Sequence, residues 1–211
     1  MALVPACEAA LLWQCDPASP TGTSSPAIEA PASGAVGVLD CAYAPLRLSG
    51  TAPASSDAFW QLWTPNKALG LTGVRAAYAI APEEGDAALG EMLEALMPSW
   101  PIGAHGVALL QSWTQGPVQQ WLQASLPVLR LWKASQLALC ESLDWRCLPG
   151  DASFFCAAPR TKDLPALLRH LRAQGIKLRD VGSLGLAGHV RLNVLPPASQ
   201  QALGTALGHW P

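Results

Sequence analysis

The segment VGVLDCAY, residues 36–43, joins a short apolar run to a carboxylate and an aromatic hydroxyl. The uncharged run at 36–39 follows a stretch rich in Pro, Ser and Gly, which predicts a buried strand that emerges from a loop. Asp40 stands directly after this strand, and Tyr43 follows three residues later. Because open α/β sheets bind ligands beyond the carboxyl ends of their strands, this position favours Asp40 as a site residue.

Three further apolar runs, at 9–13, 59–62 and 76–80, predict strands of the same sheet. The loop between the last two runs contains Lys67 among several glycines, and strand-connecting loops often carry functional residues. The Pro- and Ser-rich stretch at 17–34 is interpreted as a loop or a weak helix. The first part of the chain is therefore predicted to form an α/β unit.

The middle of the chain is predicted to be helical, because apolar residues recur there at helical spacing in the ranges 87–96, 104–112 and 117–143. The last quarter alternates again, and its predicted elements are a strand at 153–157, a helix at 163–174 and short strands at 176–179 and 190–194.

Asp163 is the expected N-cap of the late helix, and Gly175 is its expected C-terminal stop. This order predicts a three-layer α/β fold with a mostly parallel sheet, followed by a small α+β domain. The expected division is a large domain at 1–135 and a small domain at 136–211.

Composition limits the possible partners. Among 211 residues, 13 Lys and Arg face 15 Asp and Glu, so a net charge of −2 argues against a nucleic-acid binder. Only 13% of the residues are charged, against about 25% in typical domains, so some surface is expected to be covered. The uncharged stretch 95–129 is interrupted by Pro, Gly and Gln, which argues against a membrane span. With no signal sequence at the start, a cytoplasmic location is expected.

The six cysteines and four histidines do not support a metal site. No C-x-x-C pair occurs, and no histidine stands at zinc-finger spacing from a cysteine. Neither a zinc site nor a disulfide framework is therefore expected, and most cysteines are interpreted as small core residues.

Four motifs, taken in order, resemble those of a known family. They are DPASPTG at 16–22, DCAY at 40–43, KALGLTGVR at 67–75 and GHVRL at 188–192. This series resembles the class I/II aminotransferases of pyridoxal-phosphate fold type I, close to histidinol-phosphate aminotransferase and threonine-phosphate decarboxylase. The resemblance extends over nearly the whole chain and implies the transferase fold with an incomplete large domain.

The resemblance implies a pyridoxal 5′-phosphate site built on three central residues. Lys67 would bind the cofactor aldehyde covalently, because only a primary amine can do so and then be exchanged for a substrate amine. Asp40 would pair with the pyridine nitrogen and keep it protonated, and Tyr43 would bind the ring's 3-oxygen.

Further binding residues are implied at the edges of this site. Thr64 and Arg75 would hold the cofactor phosphate, and Arg191 would bind the substrate carboxylate. Ser19 occupies the position of the asparagine that contacts the cofactor in the family. This departure, together with Asp16, Pro65 and Ala77 at other motif positions, indicates a divergent branch.

Three functions remain open. The first is an aminotransferase acting on an amino acid or an amino-alcohol phosphate, and the second is a decarboxylase similar to threonine-phosphate decarboxylase of cobalamin synthesis. The third is a truncated, non-catalytic fragment or partner subunit, because only 15 residues precede Asp16, where the family has a phosphate loop, a ring-stacking aromatic residue and several strands. A small amino-acid-like substrate and a homodimer are also implied.

Overall fold

The computed structural model describes residues 10–25, 28–54, 56–83, 87–208 and 210. The chain divides into two compact units. The first contains the described residues up to 17, 24–46 and 50–123, and the second contains 18–23, 47–49 and those from 124 onward. The predicted division after residue 135 stays a prediction, and predictions for residues 1–9 and 209, including Cys7, lie outside the described residues.

The first unit is built on a four-stranded sheet of β1 (Leu11–Cys15), β2 (Val36–Asp40), β3 (Trp60–Trp63) and β4 (Tyr78–Ile80). The strand order is β1-β2-β3-β4, with β1, β2 and β3 parallel and β4 antiparallel to β3. All four strands were predicted within one or two residues at each end. The mostly parallel sheet of the predicted fold class is confirmed.

The buried strand β2 forms the centre of this sheet. Leu39 is 2% exposed and packs in one cluster with Phe59, which is fully buried. The ring of Phe59 lies so close to Gly37 that a Cβ there would stand 2.7 Å from its Cδ1. Close packing of this kind holds the strand that ends at Asp40.

Three helices follow the sheet: α1 (Ala87–Ala95), α2 (Ala104–Trp113) and the long α3 (Gly116–Ser142). Each was predicted within about one residue. Helix α1 has no buried residue. Helix α3 begins in the first unit and ends in the second.

The second unit contains an antiparallel sheet of β5 (Arg146–Cys147), β6 (Phe154–Ala158), β7 (Arg179–Asp180) and β8 (Val190–Asn193). The strand order is β5-β6-β8-β7. Two helices, α4 (Leu164–Ala173) and α5 (Pro197–Gly208), complete the unit. The predicted small α+β arrangement is therefore observed in this part of the chain.

The core of the second unit joins one face of this sheet to α4, α5 and the end of α3. Its fully buried members include Cys140, Phe155, Leu171 and Val190. Short 3-10 turns are found at 44–46, 56–58 and 182–184.

The predicted strand at 176–179 is wrong over its first three residues. Gly175 adopts a φ of +78°, and the amide of Ile176 donates to Leu171 O at 2.9 Å, so these residues close the end of α4 instead. At the start of α4, the Asp163 carboxylate accepts from Ala166 N at 2.8 Å, which confirms the predicted N-cap.

Candidate active site

Asp40 lies at the carboxyl edge of the parallel strands of the first unit. It pairs with Leu62 of β3, and the amide of Cys41 donates to Leu62 O at 2.8 Å just beyond the strand. The half-buried Asp40 carboxylate accepts a hydrogen bond from Ala42 N at 2.9 Å through Oδ1. This bond sets the orientation of the carboxylate at the end of the strand.

The loop that carries Lys67 leaves the same edge of the sheet, because it follows β3. Two side chains tie its arms together: Thr64 Oγ1 donates to Ala76 O at 2.7 Å, and Asn66 Nδ2 donates to Val74 O at 3.3 Å. Cross-links of this kind hold the loop in one conformation. Lys67, half-buried, directly follows the second cross-linked residue.

The Lys67 amine lies over the ring of Tyr43, with 5.8 Å between Nζ and the ring centroid. This distance is within the range of a cation–π contact. Tyr43 belongs to the segment that directly follows Asp40, so the fold brings the predicted Lys67 and Tyr43 together beyond the end of β2.

Thr64 and Arg75 lie on the two arms of the same loop. The hydroxyl hydrogen of Thr64 is donated to Ala76 O, so binding a phosphate through it requires this bond to be released. Arg75 is exposed. The backbone of Arg75 packs closely against α2, because a Cβ at Gly106 of that helix would lie only 3.1 Å from Arg75 O.

Asn66, next to Lys67, was not predicted to be of functional interest. Its side chain is only 6% exposed, and Oδ1 has no hydrogen-bond partner among the described residues. Buried unpaired acceptors are uncommon and often occur at functional positions. The only sequence signal was its position next to Lys67.

Ser19 and Arg191 are brought together within the second unit. Arg191 Nη1 donates to Ser19 Oγ at 3.2 Å, and the guanidinium lies 5.0 Å from the ring centroid of Phe154. Ser19 belongs to the Pro-Thr-Gly turn, which we define as residues 18–23. Gly22 in this turn has a φ of +79°, and a Cβ there would lie 2.8 Å from Phe154 O, so only glycine fits.

Arg179 is a second cationic residue, and it was not predicted from the sequence. It lies directly opposite Arg191 in the β7–β8 pair. Both residues line a cleft of about 500 Å³ in the second unit, together with Lys177, and no carboxylate is found among the residues described as lining it. Like charges placed opposite each other are unfavourable unless an anion separates them, so the cleft is suited to an anionic group.

Cys156 lies on β6 opposite Arg191, on the other side from Arg179. Burial raises the pKa of its thiol, while the charge of Arg191 partly opposes this shift. The thiol donates to Pro20 O at 3.1 Å, so its role in the structure is a hydrogen bond to the Pro-Thr-Gly turn.

No group of three His, Cys, Asp or Glu side chains that could hold a metal ion is found within the described ranges. In the same part of the chain, no helix is both long and apolar enough to span a membrane.

The comparison with known proteins identifies the family. The sequence pattern described as aminotransferase class I and II matches residues 5–209. The chain therefore belongs to this family, which confirms the family predicted from the four motifs. No match was found among the curated proteins.

Solved structures share the fold at low sequence identity. A putative histidinol-phosphate aminotransferase from Erwinia carotovora atroseptica is 21% identical, with a TM-score of 0.74, over 95% of this chain and 59% of that one. The histidinol-phosphate aminotransferase from Clostridium acetobutylicum is 14% identical, with a TM-score of 0.79, over 94% and 63%. L-threonine-O-3-phosphate decarboxylase from Porphyromonas gingivalis is 16% identical, with a TM-score of 0.66, over 94% and 63%. The chain thus spans about three fifths of the length of these proteins.

Proposed function

We propose that this chain is a pyridoxal-phosphate-dependent aminotransferase that acts on a small amino-acid-like substrate. The observation that carries the proposal is the position of the Lys67 amine, 5.8 Å from the Tyr43 ring centroid, beyond the strand that ends at Asp40. A primary amine, a carboxylate and a phenol at one sheet edge match the three polar groups of the cofactor ring.

The residues present fit pyridoxal phosphate. Lys67 would hold its aldehyde carbon, Asp40 its pyridine nitrogen and Tyr43 its 3-oxygen. Thr64 and Arg75 would hold its phosphate, and Ser19, at the position of the family's asparagine, would lie at the 3-oxygen. When bound, the cofactor supplies an electron sink for the negative charge that forms at the substrate Cα.

The protein side chains would then supply positioning and proton transfer. Displaced from the cofactor by the substrate amine, the Lys67 amine would act as the general base that takes the proton from the substrate Cα, and then as the general acid that delivers a proton to the carbon it had held. The negative charge of Asp40, whose carboxylate is oriented by Ala42 N, would keep a proton on the pyridine nitrogen. This arrangement supports transfer of an amino group.

The substrate's anionic end is assigned to the cleft of the second unit. Arg191 and Arg179 together can bind a carboxylate or a phosphate through charge-assisted hydrogen bonds. This pair of guanidiniums supports an amino acid or an amino-alcohol phosphate, such as histidinol phosphate, as the substrate.

A decarboxylase similar to threonine-phosphate decarboxylase is the second candidate, supported by the fold shared with the enzyme from Porphyromonas gingivalis. Both reactions use the same Asp40, Lys67 and Arg75. Incubation with threonine phosphate, and separately with histidinol phosphate plus a keto acid, separates them. Release of carbon dioxide without amino transfer selects the decarboxylase.

The third candidate is a non-catalytic fragment or partner subunit, because the chain covers 59–63% of the solved relatives described above. Binding of pyridoxal phosphate without turnover of either substrate would select it. We also propose that the chain forms a homodimer, as the family resemblance implies, and is located in the cytoplasm.

The visible absorption spectrum of the purified full chain with pyridoxal phosphate tests the proposal. A band from the lysine-bound cofactor is expected, and Lys67→Ala should abolish it. Lys162→Ala removes an exposed lysine and should leave the band intact. Persistence of the band in Lys67→Ala would remove Lys67 from the proposed role.

A further inference from the structure

The buried face of α3 contains a charged residue. Lys133 is only 8% exposed and lies in the same row of the helix as the buried residues Leu126, Gln136 and Cys140. Burial lowers the pKa of Lys133, although the charge of Asp151 partly opposes the shift. A buried ammonium group is unfavourable unless hydrogen bonds compensate for its lost hydration.

The compensation comes from one short loop, residues 150–152. Lys133 Nζ donates to Gly150 O and, at 2.9 Å, to Ala152 O. Two carbonyl groups that point at one ammonium are held close together. The lysine therefore contributes two hydrogen bonds that hold this loop in place.

The loop at 150–152 in turn holds the Pro-Thr-Gly turn. The amides of Asp151 and Ala152 both donate to Gly22 O, at 2.6 and 3.1 Å. A Cβ at Gly150 would lie 2.5 Å from Thr21 O, so the two backbone segments are in direct contact. Movement of the loop would therefore move the turn.

The same face of α3 anchors a third segment. Arg130 Nε donates to Leu48 O at 2.7 Å, and Leu48 N donates to Asp151 O at 2.6 Å. Ser49 Oγ adds a hydrogen bond of 2.7 Å to Asp151 Oδ1. The loop that Lys133 holds is thus the centre of a network that ends on the Pro-Thr-Gly turn.

We propose that Lys133 is a positioning residue that holds the Pro-Thr-Gly turn, and with it Ser19, against the guanidinium of Arg191. The final link is the hydrogen bond from Arg191 Nη1 to Ser19 Oγ at 3.2 Å. The consequence for substrate binding rests on the proposed function, because that function assigns the substrate anion to Arg191.

Amide hydrogen exchange of the full chain without ligand tests the positioning role. Lys133→Met should accelerate exchange of Asp151, Ala152 and Gly22 by about tenfold or more, while Phe155 and Leu192 in the sheet change little. Lys133→Arg keeps the charge and several donors and should restore slow exchange. Unchanged exchange at all three positions, or equal acceleration in the sheet, would overturn the proposal.

The exposed Lys162 provides the matched control, because Lys162→Met should leave every one of these rates unchanged. Should Lys133→Met fail to fold, Lys133→Gln, which keeps two N–H donors without a charge, is measured in the same way. Faster exchange at Asp151, Ala152 and Gly22 alone would again support the proposal, and unchanged or uniformly faster exchange would overturn it.

Steady-state kinetics of the cofactor-loaded chain test the consequence for the substrate. Lys133→Met should raise KM for the phosphorylated substrate by a larger factor than it lowers kcat, because the displaced turn contacts Arg191, which would bind the substrate, and would reach the cofactor only through Ser19. A lower kcat at unchanged KM would contradict this role. If the unmodified chain shows no cofactor band, the proposed function fails, whereas the exchange rates still decide the role of Lys133.

Discussion

Asp40 and Lys67 lie on segments that follow adjacent parallel strands, so their positions beyond one sheet edge are a consequence of topology. Asp40 is the last residue of β2 and Lys67 lies four residues after β3, and both strands were recognisable from their apolar runs. The roles of the two residues in the site remain predictions. Asn66, Arg179 and Lys133 were not predicted. Asn66 is notable for its burial, Arg179 for its strand register opposite Arg191, and Lys133 for its bonds to a distant loop. These are properties of the packed structure.

Replacement of Asp40 by asparagine tests the role of its negative charge. The amide can still accept from Ala42 N, but it cannot keep the pyridine nitrogen protonated. We expect kcat to fall by about 10²–10³-fold while the cofactor band is retained. Asp144→Asn, at an exposed ion pair with Arg160, is the control and should leave kcat unchanged. Equal activity of Asp40→Asn and the unmodified chain would refute the role of the charge.

The lowered pKa of Lys133 predicts a pH dependence of stability. The unfolded chain binds the proton with the ordinary pKa of 10.5, whereas burial lowers the native pKa, so between these values the unfolded state binds more protons. The free energy of unfolding should therefore rise with pH as 10.5 is approached from below.

Urea unfolding across the alkaline range measures this effect as the difference between the unmodified chain and Lys133→Met. The difference should move in favour of the unmodified chain as the pH increases. Parallel curves, or a change in the opposite direction, would show that Lys133 titrates normally in the folded protein.

Strand β2 shows how packing at the scale of an element supports the site. A methyl group at Gly37 would collide with Phe59 and lie 3.0 Å from Pro31 Cγ. Gly37→Ala should therefore lower the free energy of unfolding by about 1–3 kcal/mol through overpacking. At Gly116 a Cβ meets no atom within 4 Å, so Gly116→Ala should change the free energy of unfolding by no more than about 0.5 kcal/mol.

Chemical unfolding of both variants measures this difference. Equal stability of Gly37→Ala and the unmodified chain would mean that the strand moves to accept the methyl group.

Among elements, the apolar strands and the strongly periodic helices were predictable, whereas α5, the two-residue strand β5 and the start of β7 were not. Helix α5 contains Gly204, a weak helix former, and its buried residues Leu203 and Leu207 belong to the core of the second unit. Tertiary packing therefore stabilises a helix that local propensity does not indicate. At β7, the end of α4 uses Gly175 and Ile176, so the strand begins later than its apolar run suggested.

The chain has few charged residues, and one segment of its surface, at residues 92–100, exposes several large apolar side chains. The side chains concerned are Met92, Leu93, Leu96, Met97 and Trp100, with exposed fractions of 63%, 45%, 80%, 55% and 90%. Exposed apolar patches are typical of protein interfaces. The proposed homodimer would cover this segment.

Sedimentation of Leu96→Glu tests the proposed homodimer. A glutamate at position 96 would be buried in the proposed dimer interface, so this variant should shift the chain toward the monomer. Leu184→Glu, at a position 43% exposed in the second unit, should not. Identical sedimentation of Leu96→Glu and the unmodified chain would place any dimer interface elsewhere.

Borohydride reduction of the full chain with pyridoxal phosphate, followed by mass mapping of its peptides, tests whether Lys67 holds the cofactor. We expect the reduced cofactor to be attached to Lys67 and Lys133, Lys162 and Lys177 to remain unmodified. A label on another lysine in place of Lys67, or no stable label, would contradict this expectation.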